Sequence, residues 1–312
     1  MVKRALISNL GDVDIRLLRI FVTVTECGGF AASELELNIG RSTISKHIAD
    51  LELRIGLKLC NRGPSGFSLT TEGEQVLEST RRLLSNIDNF RNEVDDVHAN
   101  LSGTIRIGIF DQSSTNPSAH LHDAIRLFNE SAPDVLLEID LDTPSALESR
   151  VTDGALELAV TPIFRQSSSL QYIPLYVERM SLYCGENHEL YGISPEKELD
   201  LVTLADHKYA GYSFNSPNMS AGRDLGLKRS ARVKEEEALV LLVQSGCYIG
   251  YLADHVAETL LSKGKVWPIC PSKTSYTTVF GAITRKKPEA DRKTLRFLSC
   301  LTATHGKAVR SP

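Results

Sequence analysis

Apolar positions change their spacing along the chain, and each spacing predicts a different kind of element. In the first segment Ile15, Leu18, Phe21, Val22 and Thr25 recur at helical intervals. Gly28-Gly29 then ends the helix, because glycine takes the left-handed cap conformation without strain. Ala31 to Leu37 reads as a second short helix, Asn38-Ile39-Gly40 as a tight turn, and Arg41 to Ile55 as a third helix. On that third helix Ile44, Ile48, Leu51 and Ile55 share one face, leaving Arg41, Ser42, Ser45 and Lys46 on the other. Two short helices joined by a turn of about four residues, the second polar on its outer N-terminal face, form the helix-turn-helix pattern that enters the DNA major groove. A small helical bundle with an ordinary solvated face is the alternative. Beyond Gly56, the run from Asn61 to Leu69 predicts two short strands around a Gly/Pro turn, which is a wing.

The next segment carries the sharpest periodicity. Val76, Leu83, Ile87, Phe90, Val94, Val97 and Leu101 are separated by 7, 4, 3, 4, 3 and 4 residues, with Thr80 in the one gap. Alternating 3/4 spacing is a coiled-coil seam, since that repeat keeps one narrow stripe facing a partner helix. A helix packed lengthwise on its own domain is the alternative. Self-association through the seam implies a two-fold dimer with two recognition helices, and so a double-stranded DNA target with inverted half-sites.

From about residue 104 strands and helices alternate. Strands are expected at Thr104–Phe110, Val135–Asp140 and Leu156–Thr161, with helices at about Ser118–Glu130 and Ala146–Thr152 between them. That order predicts a parallel sheet with helical crossovers, whose ligands sit at the carboxyl ends of the strands. The alternation continues through Tyr172–Cys184, Tyr209–Ser213, Ala231–Lys234, Glu236–Ser245 and Tyr248–Leu252. A late strand at Thr278–Thr284 could return to the first half. Two lobes with a cleft between them follow.

With 312 residues, 42% of them hydrophobic and 24% charged, the chain suits a globular protein of one to three domains. Its net charge of −4 does not announce a nucleic-acid partner, so any basic surface must be local. It is: residues 38–67 hold Arg41, Lys46, Arg54, Lys58 and Arg62 against Asp50 and Glu52, a net of +3. Six cysteines, none in a C-x-x-C spacing, indicate neither a zinc site nor a disulfide framework and are expected to be reduced thiols. Polar residues interrupt the first apolar run before a signal-peptide core can build, and no apolar run nears a membrane span, so a cytoplasmic location is expected.

These residues resemble the bacterial LysR-type transcriptional regulators over about residues 13–302. The resemblance rests on Phe21-Val22, Glu26 and Phe30, then Leu37-Asn38-Ile39, Arg41-Ser42, Ile44-Ser45, Ile48 and Leu51-Glu52, then Leu57, Leu59 and Arg62, then Leu69-Thr70 and Gly73. It implies an α/β protein with an N-terminal winged helix-turn-helix at 13–70 and a dimerising linker helix at 71–101. A two-lobed effector domain of type 2 periplasmic-binding-protein type would occupy 102–302, with lobe one at about 102–161 and 268–302 and lobe two at about 162–267. The family implies a homodimer, often assembled as a homotetramer, with RNA polymerase as a further partner. Carried over by position, Arg41, Ser42, Thr43 and Ser45 would face base edges or phosphates and Lys46 the backbone, with Arg62 and Ser65 contributing from the wing. Ser33-Glu34 stands where many members have paired Ala, and Ser65-Gly66 where many have a basic pair, departures that touch sequence preference more than binding itself.

In the effector domain, Ser113, Ser114, Thr115 and Asn116 follow the first strand and open a helix, where hydroxyls and free N–H groups would favour an anion. That suggests a carboxylate effector. By family position Thr161 to Phe164, Ser213 to Asn215, and Gly250-Tyr251 would supply the other walls, including Thr161, Phe164, Ser213, Asn215, Gly250 and Tyr251. Ordinary loop roles remain the alternative for each, since Ser, Thr and Asn favour caps and turns whatever they bind. Arg165 pairs with a carboxylate or is solvated, and Glu235-Glu236-Glu237 is most simply an acidic first helical turn. Catalysis lacks its motifs: there is no G-x-S-x-G elbow, no phosphate loop and no H-E-x-x-H helix. No metal and no cofactor is expected, because His120 and His122 are two apart on a helix and face different ways. A solute-binding transport protein is the other rival for residues 103–302.

Overall fold

The computed structural model describes residues 10–63, 66–96, 101–194 and 204–306, with side chains at 62, 63, 66, 88, 89 and 91–96 left undescribed. The chain divides into two compact units, residues 1–91 and 92–312.

In the first unit helices α1 (Asp12–Glu26), α2 (Ser33–Leu37) and α3 (Arg41–Ile55) precede strands β1 (Cys60–Gly63) and β2 (Gly66–Leu69), and α4 (Thr71–Asp96) closes it. Asn38, at φ 50°, ends α2 and turns the chain into α3. The core is aliphatic and aromatic: Phe21 and Val24 from α1 meet Ile44, Ile48 and Leu51 from α3, all fully buried. Beneath that core, Arg54 on α3 grips the buried Asp14 on α1 with Nε at 2.5 Å and Nη2 at 3.1 Å. The guanidinium holds the Asp14 carboxyl below the usual carboxylate range. Glu52 accepts the backbone N–H groups of Leu59 and Cys60, at 2.9 and 3.1 Å, and so fixes where the wing departs. The antiparallel pair β1–β2 is the wing.

In the second unit β3 (Gly103–Ile109), α5 (Leu121–Ser131), β4 (Val135–Leu141), α6 (Pro144–Asp153) and β5 (Leu158–Pro162) form the first lobe. The second holds β7 (Tyr209–Tyr212), α7 (Pro217–Asp224), β8 (Arg229–Val233), α8 (Glu236–Gln244), β9 (Ile249–Ala253), α9 (Asp254–Ser262) and β10 (Val266–Pro268). Strands β6 (Leu170–Gly185) and β11 (Tyr276–Arg285) join the lobes; α10 (Pro271–Thr274) leads into β11, and α11 (Arg292–Thr304) packs back on α5 through Phe128 and Phe297. Among the described residues nine strands form one sheet in the order β4-β3-β5-β11-β6-β9-β7-β8, with β10 on β6.

The expected parallel sheet holds among β3, β4 and β5 and among β7, β8 and β9, and fails elsewhere. Strand β3 is parallel to β4 and β5, and β7 to β8 and β9, whereas β11 is antiparallel to both β5 and β6, and β6 to β9. Alternating strand and helix signals report crossovers, and a parallel neighbour needs one. Strand β11 is entered from the four-residue α10 instead, so it slots between β5 and β6 in the opposite direction. No helix among the described residues is long and apolar enough to cross a membrane.

Candidate nucleic-acid interface and interlobe pocket

Helix α3 begins and ends where its sequence periodicity says, because its boundaries are set locally: Gly40 is extended before it and Gly56 closes it at φ 74°. Its buried stripe of Ile44, Ile48 and Leu51 leaves Arg41, Ser42, Thr43 and Lys46 exposed and Ser45 half-buried. Arg41, Ser42, Thr43, Ser45 and Lys46 thus share the N-terminal half of one helix, with the Arg41 backbone N–H capped by Glu34. Side-chain placement of Arg62 lies outside the described residues, as does Ser65 altogether.

The stripe on α4 divides. Leu77 and Thr80 are buried in the first unit's own core, and Val76 and Leu83 pack partly against it. Those N-terminal positions are therefore taken by their own domain rather than offered whole to a partner helix. Further along, Ile87 is half-buried and Phe90 is 66% exposed. The Val94 side chain and Val97 lie outside the described residues, and Leu101 packs against the core of the second unit.

Three of the four side chains expected to cradle an anion, those of Ser113, Thr115 and Asn116, bond to the protein itself. Ser113 Oγ donates to the Phe110 carbonyl at 2.7 Å, Thr115 Oγ1 to the Gln112 carbonyl at 2.9 Å, and Ser114 is exposed. Asn116 is a bridge, donating from Nδ2 to Glu178 at 2.8 Å and accepting the Ser118 N–H at 2.9 Å. Helix α5 starts at Leu121, after His120 in the left-handed region, so its N-terminus does not point from this loop. The hydroxyls of Ser113 and Thr115 bond within their own turn, as Ser and Thr often do, and Thr115 Oγ1 also lies 3.2 Å from His255 Nδ1.

A pocket of about 370 Å³, its open mouth included, lies between the lobes, at the carboxyl ends of β3, β5 and β7 and across β6 and β11. Of the expected wall segments Pro162, Phe164 and Phe214 line it. Thr161 is buried within β5, Ser213 and Asn215 are exposed, and Gly250 and Tyr251 belong to the core, where Tyr251 meets Tyr209 and Tyr276 edge-on. The walls are aromatic: Phe110, Phe164, Tyr212, Phe214, Tyr276 and Phe280. Tyr212 and Phe214 stack at 4.8 Å.

The polar lining comprises Glu178, Glu236, Ser216, Asn218 and Thr278, with the phenols of Tyr212 and Tyr276. Glu178 Oε2 accepts from Asn116 Nδ2 at 2.8 Å and from His255 Nε2 at 3.0 Å. Glu236 Oε1 accepts the Ala253 N–H at 2.9 Å. Burial, reinforced by Glu178 and Asp111, pushes the Glu236 carboxyl up to about 8. Asn218 accepts the Tyr276 hydroxyl proton through Oδ1. Its Nδ2 and the Ser216 Oγ are buried and have no hydrogen-bond partner among the described residues. Sequence reasoning missed Glu178 because it sits mid-strand; it placed Glu236 in an acidic first helical turn, where it stands, without its burial. The Ser216-Pro217 pair was a usable signal, since Ser at N-cap before Pro marks a helix start. Arg165 pairs with a carboxylate of the protein itself, Glu148, Nη2 to Oε2 at 2.9 Å.

The profile described as "LysR substrate binding domain" matches residues 98–306, and that described as "Bacterial regulatory helix-turn-helix protein, lysR family" matches residues 15–74. The chain is 36% identical over 299 residues to the HTH-type transcriptional activator BauR of Pseudomonas aeruginosa, covering 96% of this chain and 97% of that protein. An SDS degradation transcriptional activation protein of a Pseudomonas species is 33% identical over 201 residues, 64% of each chain. In fold it is similar to full-length CbnR complexed with its target DNA, with a TM-score of 0.64 at 17% identity over 93% of this chain and 99% of that one. A full-length OxyR variant from Pseudomonas aeruginosa gives 0.62 at 16% identity over 96% of both chains.

Proposed function

The chain belongs to the LysR family of bacterial transcriptional regulators, and from that premise we propose a one-component switch in which a small molecule held in the interlobe pocket sets how a symmetric assembly engages DNA. The observation that carries the reading is α3: an aliphatic face sunk in the core and Arg41, Ser42, Thr43 and Lys46 turned to solvent, on the same chain as an interlobe pocket.

Arg41, Ser42, Thr43, Ser45 and Lys46 contact bases and phosphates, with Arg62 and Ser65 adding wing contacts. A winged helix-turn-helix at 13–70, a linker helix at 71–101 and an effector domain at 102–302 divide the labour. Dimerisation uses the distal part of α4, from Ile87 and Phe90 through Val94 and Val97. A second contact that would make a tetramer is the sheet edge at β4, which exposes Leu136 and Leu141. The regulator acts in the cytoplasm, alongside RNA polymerase.

A carboxylate on the effector would be received by Ser216 and Asn218 at the N-terminus of α7 rather than by residues 113–116. There two buried polar groups lack partners among the described residues, and the helix end favours negative charge. Effector control requires different affinities in two assembly states, because equal affinity for both shifts nothing. Selection of random duplexes on the full-length protein is expected to recover inverted half-sites. Recovery of a single unrepeated site would remove the symmetric-dimer reading.

A further inference from the structure

The pocket's acids and its unpartnered donors lie in one cavity, and together they specify a ligand with two unlike ends. Resting on the interlobe effector reading, we infer that the effector is a small amino carboxylate whose ammonium group sits against Glu178 and Glu236 while its carboxylate takes the hydrogens of Ser216 Oγ and Asn218 Nδ2.

The charge balance of the lining is one-sided. Glu178 and Glu236 line the cavity, no Lys or Arg is among the described residues that do, and the basic group beside them is His255, whose Nε2 lies 3.0 Å from Glu178 Oε2. A plain carboxylate of similar size would add a third acid to this cavity and bring no counter-charge, whereas an ammonium supplies it. Glu178 takes both of its hydrogen bonds on Oε2, and a carboxylate has acceptor capacity on both oxygens. Aromatic faces such as Phe110, Tyr212 and Phe214 add attraction for a cation near their rings.

The donors at the other end are a separate observation. Ser216 is 7% exposed and Asn218 1% exposed, so neither polar group is satisfied by bulk water. Asn218 Oδ1 is held by the Tyr276 hydroxyl, which orients Nδ2 as a donor. Buried donors left unmade are costly, so a ligand that accepts from them gains hydrogen bonds that the surrounding side chains do not provide.

Binding is also coupled to a proton. The Glu236 carboxyl, faced by Asp111, Glu178, Tyr212 and Tyr276, is pushed up to about 8, and an adjacent ammonium favours its ionised form. Affinity for the ammonium compound therefore rises with pH up to about 8, and binding near neutrality releases a proton.

Calorimetry on the full-length protein with 4-aminobutanoate, 6-aminohexanoate, butylamine and butanoate tests this. An amino carboxylate is expected to bind about tenfold or more tightly than butanoate. Glu178→Gln should erase that preference, and Ser216→Ala should weaken the amino carboxylates while leaving butylamine unchanged. Equal or tighter binding of butanoate, or a preference that survives Glu178→Gln, overturns the inference while keeping an effector in this pocket. Silence of every ammonium compound overturns it as well. The parent reading has its own check: if Phe214→Trp, which fills the cavity, leaves the response of every binding compound unaltered, the pocket is not the effector site.

Discussion

Asp111, in the loop after β3, reaches across the lobes to accept the backbone N–H of Glu236 through Oδ2 at 2.9 Å. Its other oxygen accepts the Gln112 N–H at 2.9 Å. One carboxylate of the first lobe thus serves as the cap for helix α8 of the second, a helix with no side-chain cap of its own. Helix α8 in turn presents Glu236 to the pocket, so the two lobes and the ligand-facing acid are mechanically tied. Removing a capping carboxylate typically costs about 0.5–2 kcal/mol. Asp111→Ala is expected to lower the stability of the second unit by about that amount in urea unfolding, and an unchanged midpoint would show that the interlobe cap contributes nothing.

The raised Glu236 carboxyl makes stability depend on pH with a definite sign. Between the ordinary value of 4.5 and about 8 the folded chain keeps a proton that the unfolded chain has released. Stability from this group is therefore greatest below 4.5 and falls as pH rises through that window. Glu236→Gln, which cannot ionise but can still accept from Ala253, should lose this decline. Its stability relative to the parent chain, followed by thermal melts, is expected to climb from about pH 5 to pH 8, on the order of a few kcal/mol in total. Parallel pH profiles of the two proteins would refute the assignment.

Gly73 on α4 lies against the chain leaving α3: a Cβ at this position would overlap the carbonyl oxygen of Leu59. Backbone cannot move aside as a side-chain tip can, so Gly73→Ala should push α4 off the first unit. Overpacking of this kind costs about 1–3 kcal/mol. Circular dichroism melts of Gly73→Ala and of Gly40→Ala, which meets nothing within 4 Å, should differ strongly; equal melts would contradict the packing argument.

Phe90 stands 66% exposed on α4, beyond the part of the helix that its own domain covers. A charge there has little to disturb within the monomer and everything to disturb in a helix pair. Sedimentation should find Phe90→Glu dissociated with its helix content intact. A stable dimer of that variant places the interface elsewhere.

Arg41 and Lys46 should separate by the kind of DNA contact they make. A bidentate contact from Arg41 to guanine is worth about 1–3 kcal/mol of discrimination, so Arg41→Ala should relax sequence preference. Lys46→Ala should weaken all sequences alike and reduce the salt slope by about one. Neither is expected to alter effector affinity; a parallel fall in both affinities would end the separation of roles.

Elements whose boundaries depend on neighbours a few residues away were legible in the sequence. Helix α3 runs from Arg41 to Ile55 as its spacing and its flanking glycines require, and the two wing strands lie at Cys60–Gly63 and Gly66–Leu69, over the run that predicted them. Such choices are made by local backbone preferences and by which face is apolar, and both are written in consecutive residues. What covers that face is another matter. The α4 stripe spells a helix, yet Leu77 and Thr80 find the core of their own domain, while Phe90 does not. Strand directions at β11 depended on a partner more than a hundred residues away in sequence, as Gly281 against Thr161 illustrates.

The pocket was the least legible part, because its chemistry is made by convergence. Composition and periodicity by themselves determined a small helical domain with a basic, hydroxylic helix face, a long helix, and an alternating α/β domain. Only the tertiary structure decided that Glu178 from mid-strand, Glu236 from a helix start and the unpartnered Ser216 and Asn218 share one cavity. An acid at a helix start looks the same in sequence whether water or protein surrounds it; burial, which raises its affinity for a proton, is a property of the folded neighbours and not of the residue.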